Sequence, residues 1–181
     1  NSDAMYSSPV MISIRRNGWL AGDNEQINVS EVTADVAKGS YTIEVANAGI
    51  FHVGQYVCLY LHDNNPELVE KELLPYKWED TMKNIAETGV QVEDYHLITA
   101  IDGKKITFKE PIMHEVEAKY DWKLKRYYYY ENVGIEDLTF VGHSVDDFKH
   151  HRSWVDDGAY KPVNFMRLVN SWIRRVDFRD I

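Results

Sequence analysis

The feature that most constrains the fold is a repeat in the last third of the chain. Its two copies, residues 131–140 and 170–180, share one spacing of apolar residues at an offset of 38 residues. The spacing is an apolar residue, a two-residue gap, a second apolar residue, one polar residue and a third apolar residue. It aligns Ile135 with Ile173, Leu138 with Val176, and Phe140 with Phe178. Because a flat strand alternates strictly, the gap predicts a bent strand that occurs twice.

The length of the repeat indicates a solenoid. Asn132 and Asn170 precede the two copies, where a side chain that can cap a turn is useful. Parallel β-helices stack rungs of about twenty residues, so an offset of 38 predicts one rung plus an excursion loop, here residues 143–162. Ile181 follows the second copy directly, so we expect an open final rung, whose exposed strand edge favours self-association.

The preceding residues 10–130 predict a small antiparallel β module that contains a short helical insertion. Short apolar runs, beginning with residues 10–14, predict its strands, and Asp102-Gly103 predicts a tight hairpin turn. Residues 65–88 have helical spacing, with Pro66 in the first turn and Gly89 beyond the end. We expect residues 1–9 to be an expression tag or a disordered start, with the tag at residues 1–5.

The tyrosines and the single cysteine of the module each have a structural and a functional interpretation. Residues 120–130 have strong strand propensity, and their run of four tyrosines places two on each face. These tyrosines fit either half-buried packing or a stacking platform for sugar rings. Cys58 excludes an internal disulfide because it is the only cysteine, and its apolar neighbours predict a buried thiol rather than a nucleophile.

Charge is distributed unevenly along the chain. The net charge is -9, but residues 149–181 carry seven cations and four acids, which leaves -12 for residues 1–148. The acidic body disfavours nucleic acid, whereas the cationic end suits an anionic polymer such as a uronate or a sulfated glycan, or else is a solvated face. No apolar run approaches the roughly 20 residues of a membrane span.

The excursion contains acidic, basic, histidine and aromatic side chains, and three kinds of functional site could be built from them. Paired carboxylates can hydrolyse a glycosidic bond; β-elimination of a uronate needs a base, and a cation or Ca²⁺ to stabilise the developing charge. A metal site is disfavoured, because adjacent histidines on a strand point to opposite faces. Candidate catalytic residues are Asp146, Asp147, His150 and His151; candidate substrate-binding residues are Lys149, Arg152, Trp154, Asp156, Asp157 and Lys161. The alternative is a structural turn at Asp156-Asp157-Gly158 with histidines that serve the fold.

Residues 131–142 and 163–180 resemble the rungs of right-handed parallel β-helix proteins of the pectate-lyase-like superfamily. Residues 51–57 and 98–111 are similar to the small β module that precedes the rungs in several bacterial members. The His-His-x-x-Trp motif at residues 150–154 and the Asn-Ser-Trp motif at residues 170–172 resemble a bacterial family of this type that is associated with polysaccharide use. The resemblance covers residues 10–181 and implies secreted, periplasmic or cell-surface polysaccharide processing; its motifs transfer no catalytic residue.

We therefore expect a mostly β chain: an antiparallel module at residues 10–130, with its helical insertion at 65–88, and the first rungs of a right-handed, single-stranded parallel β-helix at residues 131–181. The leading functional hypothesis is a carbohydrate-active protein that binds and cleaves an acidic polysaccharide by lyase or hydrolase chemistry. The competing hypothesis is a non-catalytic glycan-binding or structural module, such as an adhesin, a fibre segment or a solenoid cap. No motif calls for a cofactor, and Ca²⁺ enters only with lyase chemistry. A plain α/β fold is excluded because βαβ periodicity and a glycine-rich phosphate loop are both missing.

Overall fold

The computed structural model describes residues 10–22, 24, 27–142, 146–147, 149 and 161–181. Strands dominate this part of the chain, which confirms the predicted mostly β fold. The strands and helices, in chain order, are β1 (Val10–Arg15), β2 (Val29–Glu31), β3 (Thr42–Glu44), β4 (Tyr56–Asp63), α1 (Pro66–Leu73), α2 (Lys83–Thr88), β5 (Val90–Asp102), β6 (Lys105–Phe108), β7 (Lys123–Arg126), β8 (Tyr130–Glu131), β9 (Gly134–Val141), β10 (Lys161–Met166), β11 (Leu168–Val169) and β12 (Trp172–Arg179). No helix among the described residues is long and apolar enough to cross a membrane.

The described chain divides into two compact units. Leu20–Tyr127 forms the first, which we call the antiparallel unit, and Tyr128–Ile181 with the segment that ends at Trp19 forms the second, the parallel unit. The antiparallel unit is therefore inserted into the sequence of the parallel unit, between β1 and β8.

The antiparallel unit is one six-stranded sheet in the order β2-β7-β4-β5-β6-β3. Its core includes Val57, Leu59 and Leu61, which alternate along β4 and are buried. Cys58 on the same strand is also buried, as predicted. The hairpin between β5 and β6 closes at Asp102 opposite Lys105, and confirms the turn predicted from Asp102-Gly103.

The two helices lie between β4 and β5. Asn65 caps α1 by accepting a hydrogen bond from the Glu67 backbone N–H at 3.0 Å, and Pro66 occupies the first turn. Leu68 and Val69 of α1 are buried in the core of the sheet. Proline is favourable in the first turn because the backbone N–H that it lacks would have no hydrogen-bond partner within the helix at that position.

The parallel unit contains three two-stranded parallel sheets in the described residues: β1 with β10, β8 with β11, and β9 with β12. The register of the last pair sets Ile135 beside Ile173 and Phe140 beside Phe178. Those are the alignments predicted from the repeat. The two phenylalanine rings stack with their centroids 5.3 Å apart and their planes at 9°.

The bend predicted for each copy is present and is built the same way in both. Asp137 and Arg175, which lie in the two-residue gaps, have left-handed φ angles of 56° and 51°. Asn132 and Asn170, which precede the copies, have φ angles of 59° and 48°. Asparagine tolerates this conformation better than most residues, so the asparagine that precedes each copy fits the left-handed turn found there.

Two strand assignments differ from those expected. The first strand, placed by the sequence in the antiparallel module, instead pairs in parallel with β10, with Ile12 beside Val163. Residues 120–130 are not one strand, because β7 ends at Arg126 and β8 begins at Tyr130. The break coincides with the boundary between the two units, where Tyr127 belongs to one unit and Tyr128 to the other.

Candidate functional site

The described part of the excursion is small and highly exposed. Asp146, Asp147 and Lys149 are exposed, and the Lys149 Nζ lies 2.8 Å from Asp147 Oδ2. Lys161 is exposed at the start of β10, in register with Val10. The structure thus brings together one acid and one cation from the predicted set. The other predicted residues lie outside the described chain: His150, His151, Arg152, Trp154, Asp156 and Asp157.

The predicted tyrosine platform is divided between the two units. Tyr127 packs against Tyr95 in the antiparallel unit, with ring centroids 4.7 Å apart. Tyr128 and Tyr130 belong to the parallel unit, where the Arg16 guanidinium lies 5.9 and 5.8 Å from their ring centroids. The expected arrangement of two tyrosines on each face of one strand is therefore wrong, because no single strand carries them.

A group of polar and aromatic side chains that are joined by hydrogen bonds lies on β9 and β12. We call it the tryptophan ledge and define it as Trp172, Arg174 and Arg175 of β12 with Glu136 and Asp137 of β9. The parallel register brings these strands together with Trp172 beside Gly134 and Arg174 beside Glu136.

Two features determine the position of the Trp172 indole ring: the space beside Gly134 and a hydrogen bond to Glu136. A Cβ atom added to Gly134 would overlap the ring of Trp172, so the glycine leaves the space that the ring occupies. The indole Nε1 donates a hydrogen bond of 2.7 Å to Glu136 Oε1. Trp172 nevertheless keeps 39% of its surface exposed. The ledge therefore presents part of a positioned aromatic side chain to solvent.

Two guanidinium groups of β12 form ion pairs with the acids of β9. Glu136 Oε2 lies 2.8 Å from Nη2 of Arg174 and 2.8 Å from Nη2 of Arg175. Arg175 also donates two hydrogen bonds to Asp137, from Nε at 2.5 Å and from Nη2 at 2.7 Å. A guanidinium carries five N–H donors, more than these contacts use.

Electrostatics favour the charged forms of Glu136 and Arg175. The hydrogen bond from Arg174, together with that from Trp172, holds the pKa of Glu136 below its ordinary value. The hydrogen bond to Asp137 raises the pKa of Arg175. The guanidinium carbon of Arg174 also lies 6.0 Å from the Trp172 ring centroid, within the outer range of a cation–π contact.

The chemistry of the ledge is that of a binding surface. An aromatic face suits the C–H surface of a sugar ring, and a guanidinium suits a carboxylate because its paired donors match two oxygens. Sequence analysis noted the arginines as a cationic end and the tryptophan only through a family motif. The signal that could have brought these residues together is the 38-residue offset of the repeat, which places Trp172 beside Gly134 and Arg174 beside Glu136.

A concave region lies in the antiparallel unit, with a volume of about 490 Å³. Its central carboxylate is occupied by the fold: Asp63 accepts hydrogen bonds from the backbone N–H of Asn65 at 2.8 Å and of Asp121 at 3.2 Å. His62 Nε2 lies 2.7 Å from the Thr88 carbonyl oxygen. These hydrogen bonds connect neighbouring segments of the fold, so the polar groups of this region have a structural role. No group of three or more metal-binding side chains that could hold an ion is found among the described residues.

Comparisons with known proteins give weak structural likenesses only. No family model matches the chain, and no curated protein matches it. One similar solved structure is the Gp54 tailspike of Acinetobacter baumannii bacteriophage AP22 in complex with A. baumannii capsular saccharide, at 11% identity and a TM-score of 0.43, covering 83% of this chain and 23% of that one. Another is the tailspike protein gp49 from Pseudomonas phage LKA1, at 14% identity and a TM-score of 0.42, covering 72% and 18%. This chain thus spans about a fifth of the length of either tailspike.

Proposed function

We propose that this chain is part of a carbohydrate-active protein of the secreted, periplasmic or cell-surface kind, and that it binds an acidic polysaccharide at the tryptophan ledge. The observation that carries the proposal is the partly exposed ring of Trp172, which is held by Glu136, with two arginines paired to the same glutamate. A sugar ring stacks on the indole, and a uronate carboxylate or a sulfate takes the free guanidinium donors.

The proposed architecture is the start of a right-handed, single-stranded parallel β-helix. In this arrangement β8 and β9 belong to the first rung, and β11 and β12 to the second. The support is that both pairs keep the same offset, with Tyr130 beside Leu168 and Gly134 beside Trp172. Strand β10 then precedes β11 in the second rung, as β1 precedes β8 in the first, with the antiparallel unit inserted between them.

Cleavage is the second part of the proposal and belongs to the excursion between β9 and β10. The acid–base groups are Asp146, Asp147, His150 and His151, in either a hydrolase with paired carboxylates or a lyase with a histidine base and Ca²⁺. The proposed substrate contacts are Lys149, Arg152, Trp154, Asp156, Asp157 and Lys161. The competing function is glycan binding without catalysis, which the ledge alone would support.

The binding proposal is tested by comparing two tryptophan variants. Trp172 and Trp78 are equally exposed, at 39% each, but Trp78 lies in the antiparallel unit. We expect Trp172→Ala to weaken binding of polygalacturonate, alginate or heparin about tenfold, which corresponds to about 1.4 kcal/mol. Trp78→Ala serves as the matched control and retains full affinity. Equal affinity of both variants and the parent chain, measured by calorimetry, would show that the ledge is not the binding surface.

Charge and catalysis need separate measurements. We expect Arg174→Gln to reduce affinity for the acidic polymers while leaving any binding of neutral dextran unchanged, since only the acidic polymers carry a charge for the guanidinium. Cleavage is followed as unsaturated products and as new reducing ends, with and without Ca²⁺. Both signals together indicate a lyase, and reducing ends alone a hydrolase. Activity that survives in the variant Asp146→Ala/Asp147→Ala/His150→Ala/His151→Ala would refute the proposed catalytic residues, and binding without any product would favour the non-catalytic function.

A further inference from the structure

A second group of cationic and aromatic side chains lies in the parallel unit, on residues that the tryptophan ledge does not use. We call it the turn cluster, and three segments of the chain contribute to it. Its members are Arg16 and Trp19 after β1, Tyr128 and Tyr130 at the start of β8, and Arg167 between β10 and β11. The parallel unit therefore combines arginines with aromatic rings at two places.

Hydrogen bonds of the backbone join the three segments of the turn cluster. The Tyr128 N–H donates to the Trp19 carbonyl oxygen at 2.9 Å, and the Tyr130 N–H donates to the Arg167 carbonyl oxygen at 3.0 Å. The Arg167 guanidinium in turn donates from Nη1 to the backbone carbonyl oxygen of Arg16. The backbone therefore places these side chains together although they are far apart in sequence.

Each guanidinium of the turn cluster lies near an aromatic ring that is partly open to solvent. The guanidinium carbon of Arg16 lies 5.8 Å from the Tyr130 ring centroid, and that of Arg167 lies 6.0 Å from the Trp19 ring centroid. Both distances are within the range of a cation–π contact. Trp19 is 47% exposed and Tyr130 is 48% exposed. The cluster therefore offers two aromatic surfaces to a ligand, each with a cation beside it.

The two arginines of the turn cluster have no acid partner in the part of the chain that the structure describes. Their side chains instead donate to backbone carbonyl oxygens, Arg16 to that of Asn17 at 3.0 Å and Arg167 to that of Arg16. In the ledge, by contrast, both arginines are paired with Glu136. Arg16 and Arg167 are also partly buried, so they lose hydration without gaining a counter-charge. An anion bound between them would supply that charge.

The combination of groups identifies the class of ligand. The C–H surface of a sugar ring packs on an exposed aromatic face, and a carboxylate or sulfate accepts paired hydrogen bonds from a guanidinium. Nucleic acid bases would stack on the same rings. Nucleic acid affinity, however, comes mainly from many phosphate contacts, whereas the cluster offers two cations on a chain of net charge -9. The observations favour an anionic sugar.

We propose that the turn cluster is a second subsite for acidic polysaccharide, which binds one carboxylated or sulfated sugar unit between Arg16 and Arg167 and stacks a ring on Trp19 or Tyr130. The class of ligand rests on the proposed function, but the location does not, because no residue of the ledge contributes. Arg167 is five residues from Trp172, and an extended chain spans at most about 3.6 Å per residue, so their backbones lie within about 18 Å. One polysaccharide chain is long enough to reach both places, which would strengthen its binding to each.

The subsite is tested by calorimetry with polygalacturonate, alginate and heparin, using two neighbouring arginines. We expect Arg16→Gln to weaken binding about tenfold, the size of one lost charge-assisted hydrogen bond. Arg15→Gln is the matched control, because Arg15 is exposed and contacts no aromatic ring among the described residues, so it should keep nearly the parent affinity. Arg16→Lys should recover only part of the loss, since an ammonium lacks the planar fork of a guanidinium. Equal losses in Arg16→Gln and Arg15→Gln would show an effect of net charge alone and would overturn the subsite.

A second variant guards against a loss of folding. Tyr130→Ala removes an exposed ring and leaves both arginines in place, and we expect it to weaken binding of the same glycans while urea unfolding shows an intact fold. An unchanged affinity in both Tyr130→Ala and Arg16→Gln would overturn the proposal. A single-stranded DNA oligonucleotide that binds more tightly than all three glycans and is weakened by Arg16→Gln would overturn the choice of ligand.

The combination with Trp172→Ala distinguishes this proposal from that of the ledge. We expect Arg16→Gln to weaken binding further in the Trp172→Ala background, because the two places contribute separately. If Trp172→Ala leaves the affinity unchanged and Arg16→Gln lowers it, the ledge is wrong and the turn cluster stands. If only Trp172→Ala lowers the affinity, the turn cluster is wrong and the ledge stands. A parent chain that binds none of the three glycans would overturn both.

Discussion

Replacement of Gly134 by alanine tests the structural basis of the tryptophan ledge directly. The added methyl group would overlap the Trp172 ring, which must then leave its position. Gly134 has no left-handed φ angle, so alanine adds no backbone strain at this position. The expected loss of stability comes therefore from the ring and its contacts alone.

The size of the loss follows from the buried area of the ring. A tryptophan side chain offers up to about 250 Å², and with 39% of Trp172 exposed about 150 Å² is buried. At about 25 cal/mol per Å² this burial is worth at most about 4 kcal/mol. A ring that swings outward keeps part of its contacts, so we expect Gly134→Ala to lower the free energy of unfolding of the parallel unit by about 2 kcal/mol.

A double-mutant cycle with Trp172→Ala separates this cause from others, using urea unfolding followed by circular dichroism. Without the indole ring the added methyl group meets no obstacle, so Gly134→Ala should cost less than about 0.5 kcal/mol in that background. Gly49→Ala is the control, because its Cβ would make only ordinary contact and its φ is not left-handed. Equal costs of Gly134→Ala in both backgrounds would refute the argument that the glycine exists to admit the ring.

Three further outcomes follow from single positions. Gly89→Ala should cost about 2–4 kcal/mol, because a Cβ there would overlap a backbone carbonyl and because its φ of 78° with ψ of -173° is a conformation essentially confined to glycine, whereas Gly103→Ala, with a φ of 58° and open space, should cost about 1 kcal/mol; similar costs in urea unfolding would contradict this. Cys58 should resist a thiol reagent until the chain unfolds, because burial raises the pKa of its thiol, and fast labelling of the native protein would be incompatible with that burial. Hydrogen bonding by Arg174 lowers the pKa of Glu136, so the stability from this pair is present above about pH 4.5 and is lost as the pH falls through the lowered pKa; tryptophan fluorescence should follow that loss, and an identical titration of Glu136→Gln would disprove it.

The bends of the repeat could be predicted from the sequence because the information for each bend is local. The two-residue gap required a bend in each copy, and the structure places left-handed residues, Asp137 and Arg175, in those gaps. The hairpin at Asp102-Gly103 was predictable for the same reason, since Asp-Gly favours one type of turn.

The partner of β1 and the ledge were harder to predict because they depend on distant residues. Nothing local in residues 10–14 distinguishes a strand that pairs with its neighbour from one that pairs with Val163 and Phe165. The ledge required both the register of the repeat and the size contrast between Gly134 and Trp172. The excursion residues were selected for their chemical types, and of these the structure shows one close pair, Asp147 with Lys149.

The insertion of the antiparallel unit between β1 and β8 has a consequence for the order of folding. Leu20–Tyr127 is continuous in sequence and makes its strand pairs internally, so it can fold as soon as it leaves the ribosome. The first strand, by contrast, must wait for residues 161–166, because it pairs with β10 across the whole inserted unit. Long-range parallel pairing of this kind is slow, since the chain must close a large loop before any contact rewards it. In pulse-labelling hydrogen exchange, the amides of β4 and β5 should therefore gain protection before those of β1, and simultaneous protection would contradict this order.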